Sequence, residues 1–139
     1  MNKLKYIPGD LVYVPKFSNN LYKVISCGTY PYEVRDTDDN DAITEESSIV
    51  PIPLTTEILE KNGWKLHKHH ERNSYDDVSW SSYHKPAETN ISLRFYQEEK
   101  AFFLFLYAQE ISETPIRYIH QLQHLLFGLG LNSEMEVWV

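Results

Sequence analysis

One segment near the end of the chain, residues 114–130, limits the possible folds more than any other part of the sequence. It begins with Thr114 and Pro115, which suit the N-cap and the first position of a helix. It ends at Gly128 and Gly130, which favour helix termination. Its apolar residues recur every three or four positions and cover a broad arc. The pattern therefore predicts a helix of about thirteen residues that forms much of a hydrophobic core.

Two histidines of this predicted helix have the spacing of metal ligands. His120 and His124 lie one turn apart on one face. The zinc-hydrolase pattern, however, needs a glutamate directly after the first histidine, and Gln121 cannot act as that base. Arg117, expected on the same arc as His124, would repel a divalent cation. The sequence therefore assigns no catalytic residue, no metal and no cofactor, with a degenerate metallohydrolase as the second alternative.

Gln123 is predicted to lie on the apolar side of the same helix. A buried amide without hydrogen bonds costs about 1–3 kcal/mol. Most buried side-chain hydrogen bonds are made with backbone groups. We therefore interpret Gln123 as a structural tether between the helix and a strand or loop.

The first 53 residues contain short β-rich runs separated by turn residues. Runs at intervals of about 8–12 residues are typical of a small barrel or sandwich. The opening segment Pro8–Val14, PGDLVYV, resembles the start of SH3-like small barrels. We therefore expect an SH3-like β-barrel domain over residues 1–53.

A second, α+β domain is predicted over residues 54–139. It starts with a short linking helix that has Thr55 as its N-cap and Gly63 as its stop. Alternating apolar residues and a polar connection at Gln97–Lys100 then predict an antiparallel sheet of about four strands. The terminal helix is expected to pack on this sheet. A last strand, Glu134–Val139, is expected to close it.

Charge argues against nucleic acid as the main partner. The chain has 20 acidic and 13 basic residues, a net charge of −7, which repels a phosphate backbone. A local exception between residues 61 and 72 supplies the candidate contacts for nucleic-acid binding as the first alternative: Lys61, Lys65, Lys68 and Arg72.

The expected location is the cytoplasm, without membrane insertion. The longest apolar run, Ala101–Ala108, is far shorter than the roughly 20 residues of a membrane-spanning helix. Pro8 and Gly9 interrupt the amino terminus before a signal-peptide core could form. The single cysteine, Cys27, has no partner in the chain, which fits a reducing compartment.

Two further clusters contain residue types that bind metals, but their spacing does not support a metal site. Asp36–Asp41 begins like a calcium loop, but Asp41 replaces the required glycine and Ser47 the bidentate glutamate, so a hairpin turn is predicted. In His67–His70, alternation along a strand places Lys68 and His70 beside Leu66 and sends the other histidines to the opposite side. An ordinary polar strand end is predicted there.

The segment from Tyr75 to His84 mixes aromatic and small polar residues. This composition is common at recognition surfaces. Tyr75, Trp80 and Tyr83 are therefore the candidates for a protein interface. The motifs of nucleophile elbows and phosphate-binding loops do not occur in the sequence, which disfavours an enzyme.

Residues 53–64, PLTTEILEKNGW, and 118–127, YIHQLQHLLF, carry a family resemblance. They resemble segments of small uncharacterised proteins from gut bacteria and their phages and mobile elements. Those proteins combine a β-rich amino terminus with both segments, although Thr56 stands here where proline is expected. The resemblance implies a context without a mechanism. We therefore expect a cytoplasmic, non-enzymatic accessory or interaction protein with a protein partner.

Overall fold

The computed structural model describes residues 5–27, 31–86, 88–107, 109–112 and 114–135. These residues form two antiparallel five-stranded sheets and two α-helices, which confirms the mixed α+β class. The chain divides into two compact units. One comprises Met1–Pro53 with Tyr118–Val139, and the other comprises Leu54–Arg117.

The first unit contains an open sheet with the strand order β4-β3-β2-β1-β5. The edge strands β4 and β5 do not pair with each other in the part of the chain that is described, and β5 has only two residues. The sheet is therefore not closed, and the predicted SH3-like barrel is not confirmed. The strands are β1 (Leu11–Tyr13), β2 (Leu21–Cys27), β3 (Tyr32–Asp36), β4 (Asp41–Thr44) and β5 (Val50–Pro51).

Alternation along these strands builds the core of the first unit. Every second side chain points inward, as the pleat of a strand requires. A one-turn 3-10 helix, Glu46–Ser48, connects β4 to β5. The buried core residues are Tyr6, Val12, Val14, Tyr22, Val24, Tyr32, Val34 and Ile49.

The terminal helix α2 spans Ile119–Gly128 and belongs to the first unit, not to the second sheet as the sequence suggested. It buries Ile119, Leu122 and Leu126. Its backbone joins this unit where the Ile119 amide donates to the Ile52 carbonyl at 2.8 Å. The broad apolar arc of the sequence predicted a core helix but could not identify which sheet it joins.

The start of α2 corrects the predicted cap at Thr114. Thr114 is exposed and lies before the helix, whose N-cap is Tyr118. Residues ahead of the helix are extended because Ile116 exchanges two backbone hydrogen bonds with Phe102, at 2.8 and 2.9 Å. Gln121 then stabilises the first turn, since its side-chain oxygen accepts from the Tyr118 amide at 3.1 Å.

The second unit contains helix α1, Thr56–Lys61, and a sheet of order β10-β9-β8-β7-β6. Thr55 is the N-cap of α1 as predicted, because its hydroxyl accepts from the Ile58 amide at 3.2 Å. Gly63 adopts φ 88° just after the helix, a conformation that favours glycine. The strands are β6 (Lys65–His70), β7 (Trp80–Lys85), β8 (Glu88–Tyr96), β9 (Ala101–Leu106) and β10 (Gln109–Glu110).

The predicted closing strand, Glu134–Val139, falls largely outside the described residues. Glu134 and Met135 are not in a strand, and residues 136–139 are not described. Across the described ranges, neither helix has the length and apolar character needed to cross a membrane.

Candidate functional site

The second sheet has two chemically different faces. Opposite residues of an antiparallel pair share a face, and the aligned trio Tyr83, Leu93 and Leu104 is buried on one of them. The other, which we call the open face, carries mostly polar, cationic and aromatic side chains. The open face comprises Lys65, Lys68, His70, Trp80, Ser82, His84, Ser92, Arg94, Tyr96, Ala101, Phe103, Phe105 and Glu110.

A β-bulge in β6 assembles the cationic edge of the open face. The register shifts between Leu66 and Lys68, so that Leu66 pairs with Tyr83 but Lys68 pairs with Ser82. Lys68 and His70 therefore lie on the side opposite to Leu66, and the predicted grouping of Leu66 with Lys68 and His70 is wrong. The inserted His67 turns its ring to 4.8 Å from that of His84. A bulge displaces alternation by one residue, and the sequence pattern did not reveal it.

Four side chains from four neighbouring strands form a continuous stack across the open face. The His70 imidazole stacks on the Trp80 indole, with centroids 5.2 Å apart and planes at 21°. The Arg94 guanidinium carbon lies 4.0 Å from the centroid of the Trp80 ring and 4.4 Å from that of Phe105. We call His70, Trp80, Arg94 and Phe105 the cross-strand stack. Cation–π contacts of this kind hold a guanidinium in a fixed position.

Arg94 has no acidic partner among the described residues. Its Nη1 donates to the Tyr96 hydroxyl at 3.4 Å, and its buried Nε makes no hydrogen bond. Among the open-face residues named above, the only acidic one is Glu110, which lies opposite Phe105 on the edge strand β10 and makes no ion pair with Arg94. At one end of the stack, Asp76 Oδ2 lies 3.0 Å from His70 Nε2, without the alignment of a hydrogen bond. No carboxylate of the described residues therefore pairs with Arg94, whose guanidinium is held by the two rings.

A groove of about 410 Å³ lies beside Arg94 on the open face. His84, Ser82 and Ser92 contribute polar groups to its lining, and Phe105 and Tyr107 contribute aromatic rings. The groove therefore combines one fixed cation with neutral polar groups, which are chemically suited to contact an anionic group.

The three predicted interface aromatics do not form one surface. Trp80 lies in the cross-strand stack, and Tyr75 is 98% exposed in the loop before β7. Tyr83 is only 7% exposed because it faces the core, so its assignment as an interface residue is wrong. The odd spacing from Trp80 to Tyr83 indicates opposite faces of one strand.

The predicted basic patch is also divided. Lys65 and Lys68 lie on the open face, whereas Lys61 ends α1. Arg72 follows β6, where its amide donates to the Ser79 hydroxyl at 3.1 Å. The main cation of the site, Arg94, was missed by the sequence analysis. The alternation of Ser92, Arg94 and Tyr96 with apolar residues in β8 is the signal that marks it.

In the first unit, a buried carboxylate holds one of the two helix histidines. Asp10 is 1% exposed, and its Oδ2 accepts from the Ile7 amide at 2.9 Å and lies 2.7 Å from His124 Nε2. His120 is buried beside Tyr6, with ring centroids 4.9 Å apart and no hydrogen bond to its Nδ1. Burial lowers the pKa of His120 to about 4 and raises that of Tyr6 to about 12.

These groups do not assemble a metal centre in the described structure. No set of three or more His, Cys, Asp or Glu side chains within the described ranges is arranged to hold a metal ion. Each group instead has a local structural contact. The Asp10–His124 pair connects α2 to the segment before β1.

Gln123 connects α2 to the first sheet and to two neighbouring backbone carbonyls through three hydrogen bonds. Its Oε1 accepts from the Leu11 amide at 3.1 Å. Its Nε2 donates to the carbonyls of Gly9 at 3.0 Å and Ser133 at 3.1 Å. The tether predicted from the sequence is therefore present, and it satisfies the amide of a residue that is 4% exposed.

The acidic segment 36–41 forms the hairpin turn between β3 and β4. The Asp36 Oδ1 accepts from the amides of Asp38 and Asn40, both at 2.9 Å, and Asp39 has φ 62°. Arg35 pairs with Asp41 at 2.7 Å. The carboxylates at both ends of the turn are thus engaged by protein groups.

Comparisons with known proteins return no match, whether with protein-family models, with curated proteins or with solved structures. The interpretation of the open face therefore depends on its own geometry and charge.

Proposed function

We propose that the protein is a non-enzymatic interaction module and that its open face binds an acidic segment of a protein partner. The observation that carries the proposal is the Arg94 guanidinium, fixed between Trp80 and Phe105 without an acidic partner in the described residues. In a chain of net charge −7, a cation held in this way is matched to an external carboxylate or other anion. Lys65 and Lys68 extend the positive charge along the same face.

A protein partner accounts for the aromatic residues better than nucleic acid does. Binding of single strands uses accessible ring faces on which bases stack. The Trp80 ring is contacted by His70 from β6 and by Arg94 from β8, and Phe105 is 8% exposed. These rings position the cation and leave little ring surface for a base.

Two finer proposals concern the fold and the setting. We propose that the first unit is a small SH3-like barrel with an incomplete seam, supported by its five short antiparallel strands around one core. A cytoplasmic location and an association with phages or mobile elements are proposed from residues 53–64 and 118–127 and from the lone Cys27.

The proposal is tested with a library of random displayed peptides selected on the purified protein. Selected peptides should be rich in Asp and Glu, and their binding measured by fluorescence anisotropy should weaken at least about tenfold in Arg94→Gln, the loss of one strong charge-assisted contact. Lys100→Asn is the matched control. It removes one positive charge from the β8–β9 turn, where Lys100 has φ 52° and lines a different depression with Leu54 and Thr55.

Two results would count against the proposal. One is a selected set without acidic enrichment, and the other is equal weakening by Lys100→Asn and Arg94→Gln. A low-salt titration with single-stranded DNA and RNA tests the alternative function, nucleic-acid binding. If oligonucleotides bind more tightly than the peptides, and if this binding depends on Lys65 and Lys68, the partner is a nucleic acid and not a protein.

A further inference from the structure

The groove beside Arg94 has the composition of an oxyanion site. Nine residues line it, and none of them is acidic. Serine hydroxyls from two neighbouring strands face this region, Ser82 from β7 and Ser92 from β8. Neither hydroxyl makes a hydrogen bond within the described residues, so both are available as donors to a ligand.

His84 supplies a further donor whose direction follows from its surroundings. Its Nδ1 is buried and has no hydrogen-bond partner. A buried N–H without an acceptor is costly, so the tautomer with its proton on Nε2 is the favoured form of the uncharged ring. Because His84 lines the groove, Nε2–H is the ring donor that a bound anion can use. The His67 ring, 4.8 Å away, packs against His84 edge to face and limits its rotation.

The contacts of Arg94 disfavour bidentate hydrogen bonding to a carboxylate. Bidentate pairing commonly uses Nε together with one terminal nitrogen, and Nε of Arg94 is buried. Nη1 is already directed to the Tyr96 hydroxyl at 3.4 Å. The guanidinium therefore offers an anion its charge and the N–H groups of Nη2, and further hydrogen bonds would come from Ser82, Ser92 and His84.

We infer that this groove binds a phosphomonoester group carried by the partner segment, an inference that rests on the proposed function. A phosphomonoester carries a charge of about −1.5 to −2 and three terminal oxygens. It can therefore use separate donors from two strands together with one cation, whereas a carboxylate presents two oxygens in one plane. The rings of Phe105 and Tyr107 form a wall for the side chain that carries the phosphate.

The test uses phenyl phosphate as a small probe and then a peptide pair. One peptide of a selected acidic sequence carries phosphotyrosine, and its partner carries glutamate at that position. We expect the phosphorylated peptide to bind at least about tenfold more tightly to the wild-type protein, and this advantage to be lost in the double variant Ser82→Ala, Ser92→Ala. The double variant leaves the cross-strand stack intact, so the proposal can still be tested if an Arg94 variant does not fold.

Ser81→Ala is the matched control, because Ser81 lies on the same strand but on the opposite face, where its hydroxyl contacts His69 at 2.8 Å. Phenyl phosphate should shift the NMR signals of His84, and it should do so in wild type and Ser81→Ala but not in the double variant.

The outcomes separate the two proposals. If the acidic peptides bind in an Arg94-dependent manner but phosphorylation gives no advantage, the phosphate assignment is overturned and the interaction module stands. If phenyl phosphate binds in the groove while acidic peptides do not bind at all, the groove is an anion site and the proposed protein partner is wrong. Equal loss in the double variant and in Ser81→Ala would also overturn the assignment.

Discussion

The guanidinium carbon of Arg94 lies 4.0 Å from the centroid of the Trp80 ring, on the neighbouring strand. This contact fixes the position of the guanidinium on the open face. An arginine that is free in solvent loses side-chain entropy when it binds an anion, whereas an arginine already held by Trp80 and Phe105 has lost most of it on folding. The cation is therefore preorganised for the anion that we propose as its ligand.

Replacing the indole should release this cation. We expect Trp80→Leu to lower the free energy of unfolding by about 1–2 kcal/mol, through loss of a half-buried ring and of the cation–π contact. It should also weaken acidic-peptide binding although the charge of Arg94 is retained. Urea unfolding and anisotropy measure the two effects. Tyr75→Ala is the control, because Tyr75 is 98% exposed and its replacement should change stability by less than about 0.5 kcal/mol.

Retained affinity in Trp80→Leu would show that the stack does not position Arg94. Loss of stability in Tyr75→Ala equal to that in Trp80→Leu would show that the indole has no special role.

The open face shows where prediction from sequence reached its limit. Four of the five strands of this sheet lie near predicted runs, β10 was not predicted, and the turn at Gln97–Lys100 lies where it was predicted. The face of each β6 residue did not follow, because the bulge between Leu66 and Lys68 reverses the alternation. The cross-strand stack depends on the register between strands that are distant in sequence, which periodicity within one strand does not encode.

The buried imidazole of His120 should make stability depend on pH. Burial lowers its folded-state pKa from 6.5 to about 4. Between these values the unfolded chain binds a proton that the folded protein excludes, so the free energy of unfolding should decrease as pH falls from about 6.5 to 4, by at most about 3 kcal/mol. Urea unfolding of wild type and His120→Leu across this range measures the contribution. The variant should lose less stability on acidification, and parallel pH profiles of the two proteins would contradict the assignment.

Gln123 should be a main determinant of how α2 is anchored. Its replacement by alanine leaves the Leu11 amide and the Gly9 carbonyl without their side-chain partner. We expect Gln123→Ala to cost about 1–3 kcal/mol of stability. Phe127→Ala on the same helix is the comparison, because Phe127 is 68% exposed and its replacement should cost less than about 0.5 kcal/mol. A cost for Gln123→Ala no larger than for Phe127→Ala would refute the anchoring role.

Two threonines that both match helix N-caps in the sequence should contribute differently to stability. Thr55 caps α1 through the Ile58 amide, whereas Thr114 is exposed and Tyr118 is the N-cap of α2. Thermal unfolding should show a loss of about 1 kcal/mol for Thr55→Ala and almost none for Thr114→Ala. A larger loss of stability for Thr114→Ala than for Thr55→Ala would instead support Thr114 as the N-cap of α2, as the sequence suggested.

The same pair shows why local cap signals are incomplete. Thr114 and Pro115 match a helix start, but the backbone pairing of Ile116 with Phe102 keeps the next residues extended. Long-range strand pairing therefore outweighs a local preference. The role of Gln123, by contrast, could be assigned from the sequence. Its position on the apolar helix face follows from the local pattern, and a buried amide there must make hydrogen bonds, most often with backbone groups.

An NMR titration of the ¹⁵N-labelled protein with a hexaglutamate peptide tests most directly whether Arg94 makes the open face a binding site for an acidic segment. We expect amide shifts concentrated in β6, β7, β8 and β9 around Arg94, present in wild type and Lys100→Asn and lost in Arg94→Gln. Shifts spread over the first unit, or shifts on the second sheet that persist unchanged in Arg94→Gln, would contradict this role of Arg94.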